Sequence, residues 1–94
     1  MFPQQRKEIY EEMLQDFEAD KEYTIQSGFC RWLVNKFPGD WRNNFLDGYP
    51  ELLKQKPKEN VYGCYWWNVS PNSQGRLRRI EVIKKAIKQV NKLI

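Results

Sequence analysis

Leu77, Ile80, Ile83, Ile87, Val90 and Ile94 recur at spacings of three or four residues. That is the 3.6-residue period of a helix that buries one face. Val82, Ala86 and Leu93 widen the apolar stripe, and Lys84, Lys85, Lys88 and Lys92 supply the polar side. No Gly or Pro interrupts the run after Gly75. The spacing therefore predicts one long, basic, amphipathic helix over 73–94, and this feature most constrains the fold.

The start of that helix is unusual. Ser70-Pro71-Asn72-Ser73 offers two capping solutions: Ser70 as N-cap with Pro71 at N1, or Asn72 or Ser73 capping a shorter helix. In both, Arg76, Arg78 and Arg79 fall in the first two turns, where the helix dipole disfavours cations by about 0.3–1 kcal/mol each. A phosphate or carboxylate there would reverse the sign, because free N–H groups and guanidinium forks would bind it together. Tyr65, Trp66 and Trp67 stand just ahead and are suited to stacking on bases. The plain alternative is a solvated lysine face with core aromatics. Adjacent side chains diverge, so Trp66 and Trp67 are not both expected on one buried side.

Upstream, Ile9, Met13 and Phe17 recur every four residues with Tyr10 and Leu14 alongside, which predicts a first helix over 3–19. Ile25, Phe29, Leu33 and Phe37, broadened by Cys30, Trp32 and Val34, predict a second over 24–37. Thr24 or Ser27 would cap it, and Pro38-Gly39 would end it. Being apolar almost all round, it reads as the central core helix. Asp40 is placed to cap a short turn over 41–46, and Asp47-Gly48 is a turn signal. Pro50 suits N1 of a third helix over 51–56, closed by Pro57. Val61 to Trp67 has strand propensity but no partner strand in the chain, so an extended segment packed over the helices is expected. The expected fold is mainly α: a single domain over 1–94, a bundle of three to four helices with an extended aromatic segment before the basic helix.

Charge is unevenly distributed. The chain carries +4 over 94 residues, yet residues 1–22 hold seven acids against three bases, so residues 23–94 carry +8. Either the acidic first helix lies near the basic last one, or the two faces meet different partners. Fourteen aromatic residues, four of them Trp, make both a small core and a binding surface credible. Trp41 and Tyr49 join Tyr65, Trp66 and Trp67 as candidate contact residues.

Several classes of chemistry are disfavoured. The chain has no histidine, which removes the commonest general base and metal ligand. A Ser-His-Asp or Cys-His arrangement cannot form within one chain. No Gly-rich phosphate loop is present. Cys30 and Cys64 cannot build an ordinary four-ligand zinc site alone, and an apolar setting would raise the pKa of Cys30. A non-enzymatic protein without metal or cofactor is expected. No signal-peptide pattern follows Met1, and no apolar run approaches the ~20 residues of a membrane span. Cytoplasmic placement with reduced thiols is the corresponding expectation.

Pro50-Glu51-Leu52, Tyr65-Trp66-Trp67 and Arg76-Leu77-Arg78-Arg79-Ile80-Glu81 occur in that order, preceded by Phe29-Cys30-Arg31-Trp32-Leu33. Over residues 27–90 this pattern resembles small uncharacterised phage and mobile-element proteins of Bacteroidetes. The resemblance implies an inhibitor of bacterial defence, of the anti-CRISPR kind. Such a protein would bind a nucleic-acid-processing effector, for example an RNA-targeting one, or its guide-RNA complex. The residues themselves leave three alternatives open. One is direct RNA or DNA binding through Arg76, Arg78, Arg79, Lys84, Lys85 and Lys88. Another is a sponge that sequesters a nucleotide. The third is a homodimer formed through the last helix.

Overall fold

The computed structural model describes residues 1–19, 28–55 and 73–94. Its helices are α1 (Pro3–Glu18), α2 (Gly28–Lys36), α3 (Pro50–Leu53) and α4 (Ser73–Asn91), with a 3-10 turn at Trp41–Asn44. The protein is mainly helical, and no strand occurs among the described residues. The aromatic segment 61–67, the predicted start of the second helix at Thr24 and the predicted end of the third at Lys56 lie outside the described residues.

The two long helices pack on each other and form the main helix–helix contact. In α1, Pro3 sits at N1, where its missing N–H is not needed. The Gln5 side chain accepts from the Phe2 N–H at 2.9 Å, which closes the first turn. The buried stripe of α1 is Arg6, Tyr10, Met13 and Phe17, with Ile9 and Leu14 half-buried. In α4 the residues Arg79, Ile83, Ala86 and Val90 repeat the same four-three-four spacing, flanked by Ile80 and Val82. Each apolar side chain so buried contributes about 1.5–3 kcal/mol.

This contact corrects the predicted stripe. Leu77 and Ile94, its two ends, are 54% and 62% exposed, while Arg79 is fully buried. The helix also stops at Asn91, short of the predicted Ile94. The buried face of α4 is turned away from Leu77 and begins with an arginine.

The second helix is not the centre of the molecule. It buries one side only, through Phe29, Cys30, Trp32 and Leu33, and leaves Val34 40% exposed. That side meets α1. The rings of Phe17 and Phe29 lie 5.7 Å apart, the Trp32 indole N–H donates to Asp16 at 2.8 Å, and Lys36 pairs with Glu12 at 2.8 Å. Gly39 takes the left-handed conformation (φ +87°) that ends the segment, as Pro38-Gly39 predicts.

Asp40 caps the 3-10 turn, its carboxylate accepting from the Arg42 N–H. Asn43 is wholly buried and donates its amide to the carbonyls of Leu33 and Phe37, so this turn closes the C-terminal end of α2. The chain then leaves through a Schellman-type turn: the Asp47 N–H reaches back to the Arg42 carbonyl across Leu46 at φ +60°. Glycine normally fills that place, and a leucine there costs about 1–2 kcal/mol. Complete burial of the Leu46 side chain, worth about 1.5–3 kcal/mol, offsets the cost. The nearby Gly48 serves space instead, because a Cβ there would lie 3.1 Å from Arg42 Cδ.

Candidate functional site

Two charged centres stand out, and their geometries differ. The first is buried. Glu51, at the second position of α3, receives Arg6 in a fork: Nε to Oε1 at 2.8 Å and Nη2 to Oε2 at 3.0 Å. The Tyr10 hydroxyl donates to the same Oε1 at 2.7 Å, and Arg6 Nη1 reaches the Met1 carbonyl at 2.8 Å. Burial pushes the Glu51 pKa up, but the hydrogen bonds from Arg6 and Tyr10 together win and hold it below its ordinary value. Arg6 is raised, chiefly by its bond to Glu51. Burial, then the bond to Glu51, pushes the Tyr10 hydroxyl well above its ordinary value. Both carboxylate oxygens are engaged and the residue is buried, so this centre joins α1 to α3 and has no open ligand position. Gln55 continues the connection by donating to the Val82 carbonyl of α4 at 2.9 Å.

Tyr49 belongs to the same interior. It is fully buried, its ring lies 6.3 Å from that of Tyr10, and burial raises its pKa. Its expected role as a contact residue is therefore corrected: it supports the core. Arg79 is corrected in the same way. It is fully buried, and burial lowers its pKa.

The second centre is exposed. Arg78, Lys84, Lys85 and Lys88 face outward from α4, and Lys92 is exposed just past its end. At 3.6 residues per turn the four helical cations occupy about a third of the helix circumference over about 15 Å of axis. One acid, Glu81, shares that face. Arg76 lies in the first turn of α4, while Tyr65, Trp66 and Trp67 lie outside the described residues. The predicted Arg76–Arg78–Arg79 cluster does not assemble as one exposed group, because successive residues turn by about 100° and Arg79 points inward.

Trp41 is exposed (65%) on the 3-10 turn, and Phe45, four residues on, is exposed (58%) at its end. Sequence reading missed Phe45, although its spacing from Trp41 within a short turn is a usable signal. Arg42 lies between them, bound to Asp40 with Nη2 to Oδ2 at 2.6 Å. That bond holds the Asp40 carboxyl below the usual carboxylate range. Nearby, Met1, Gln5, Ile9, Phe37, Asp40, Arg42 and Tyr49 line an open depression of about 300 Å³. Among the described residues no group of three or more Cys, Asp or Glu could hold a metal ion, and no helix is long and apolar enough to cross a membrane.

Arg6 and Glu51 were also absent from the sequence-based candidates. Arg6 precedes Tyr10, Met13 and Phe17 in helical register, and Arg79 precedes Ile83, Ala86 and Val90 in the same register. An arginine in phase with an apolar stripe is the signal that could have placed both inside. Comparison with known proteins finds no matching family model, no matching curated protein and no matching solved structure.

Proposed function

We propose that this chain is a non-enzymatic binding protein that engages nucleic acid through the outer face of α4. One observation carries the reading: four cations against one acid stand exposed on a single helix face whose opposite side is fixed in the core, and a fifth cation, Lys92, is exposed just past its end. Such a face neutralises phosphates and releases their counterions, so its affinity falls steeply with salt. The resemblance to phage proteins adds the setting of an anti-CRISPR-like inhibitor in a bacterial cytoplasm, with the nucleic acid being RNA held by a defence effector. The exposed Trp41–Phe45 pair favours such an inhibitor touching the effector protein as well, since aromatic side chains dominate contact hot spots. The buried position of Arg79 weighs against a nucleotide sponge built on three convergent arginines.

The test is a titration with short RNA and DNA, single- and double-stranded, followed by intrinsic tryptophan fluorescence at low and near-physiological salt. Saturable binding that is lost when Lys84, Lys85 and Lys88 are changed to Gln is the expected result. An absence of binding to every nucleic acid at low salt rejects the reading and turns the search to pull-downs against defence nucleases.

A further inference from the structure

The composition of the α4 face limits the kind of nucleic acid it fits. Arg78 and Lys85 are seven residues apart on α4, so they stand nearly in line about 10 Å apart, and Lys92 follows just past the end of the helix. Lys84 and Lys88 make a second row beside them, one turn apart. The other side of the helix is buried at Ile83, Ala86 and Val90, and α4 packs on α1, so the helical cations sit on a rigid support. A preset array of charges suits a polyanion whose phosphates also hold preset positions. Duplex nucleic acid is such a polyanion, carrying one negative charge per about 1.7 Å of axis.

Two other recognition modes call on parts that the described residues of this face do not supply. Single strands are held by aromatic stacking beside the cations, and among the described residues this face carries no ring. Base reading requires side chains from the centre of a helix face to enter a groove between its two phosphate rows. Between the two rows of cations stands Glu81, whose negative charge is repelled by the phosphates that flank a groove and so disfavours entry of this face into it.

Resting on the nucleic-acid reading above, we propose that the α4 face binds double-stranded nucleic acid along its phosphate backbone without reading its sequence. The test uses the whole chain and fluorescence anisotropy of labelled 20-mers: a DNA duplex, an RNA duplex, each with scrambled sequence, and the matching single strands. Duplex binding is expected to change by less than about threefold on scrambling and to exceed single-strand binding by at least about tenfold, since only phosphate contacts are made. With five cations engaged, the log–log salt slope on DNA is about −4.5, or a weakening on the order of 500-fold between 50 and 200 mM salt. Lys85→Gln and Lys92→Gln should each flatten the slope by about 1 on every sequence, with unchanged circular dichroism. The DNA and RNA arms identify which duplex is the better ligand. Single strands binding as tightly as duplexes, or a scrambled duplex binding more than about tenfold worse, overturns this inference and leaves nucleic-acid binding standing. No binding by any strand at 50 mM salt overturns both.

Discussion

The two long helices carry the same inner pattern and opposite outer ones. Inside, α1 presents Arg6, Tyr10, Met13 and Phe17, and α4 presents Arg79, Ile83, Ala86 and Val90, each an arginine followed by core residues at identical spacing. Outside, α1 shows Glu8, Glu11, Glu12 and Glu18, while α4 shows Arg78, Lys84, Lys85 and Lys88, with Lys92 just past its end. The inner pattern holds the fold and admits charge only under burial. The outer pattern contributes little to stability, so its net charge is open to use in binding. Arg78 and Arg79, one bond apart in the chain, belong to the two different regimes.

Substitutions at the buried centre should have the largest effect. Glu51→Ala leaves Arg6 and the Tyr10 hydroxyl buried without their acceptor, and the expected loss is about 3–5 kcal/mol by urea denaturation. A loss below about 1 kcal/mol would mean that the α1–α3 junction does not hold the fold. Leu46→Ala comes next, at about 2–4 kcal/mol for a buried leucine. Leu46→Gly should cost about 1 kcal/mol less than Leu46→Ala, because glycine removes the left-handed penalty that alanine keeps. If the two variants were equally stable, or the order reversed, Leu46 would not be strained.

Acid should act on the same junction more gently than Glu51→Ala, since a protonated carboxyl still accepts hydrogen bonds. The folded pKa of Glu51 lies below its unfolded value, so the unfolded state binds the proton first. The contribution is complete above the unfolded value of about 4.3 and is lost as pH falls through the folded one. Tyr10 has the opposite sign. Its folded pKa is raised, so its contribution is complete below about pH 10 and is lost as pH climbs further. Urea midpoints across pH should therefore show an acid limb, and Glu51→Gln should flatten it. Lys85→Gln and Lys92→Gln should have the smallest effect, shifting stability by no more than about 0.5 kcal/mol. A larger loss in thermal melts would place these lysines in the fold and erase the distinction between the inner and outer faces.

Much of the fold was legible because it follows from local rules. The period of Tyr10, Met13 and Phe17 predicts α1, Pro50 predicts the first position of α3, Asp40 predicts the cap of the 3-10 turn, and Gly39 predicts the left-handed stop after α2. The outward lysines of α4 were equally legible, being out of phase with every apolar residue packed inside. Arg79 and Tyr49 were not legible as interior residues, because residue type argues for exposure in one and leaves the other open. Leu46 was illegible for a related reason: Asp47-Gly48 satisfies the local turn rule, while burial forces the left-handed conformation two residues earlier than glycine.

The amino-acid sequence by itself determined that the chain is helical, where most of its described helices lie, and that its last helix is basic. Those properties depend on spacing, capping and composition, which act within a few residues. Only the tertiary structure decided which face of α4 turns inward, that Arg6 reaches Glu51 across 45 positions, and that Asn43 closes the end of α2. The physical reason is that burial belongs to pairs of elements. A helix with a broad apolar stripe can seat itself at several angles, and the partner helix, with the polar groups it can satisfy, selects one.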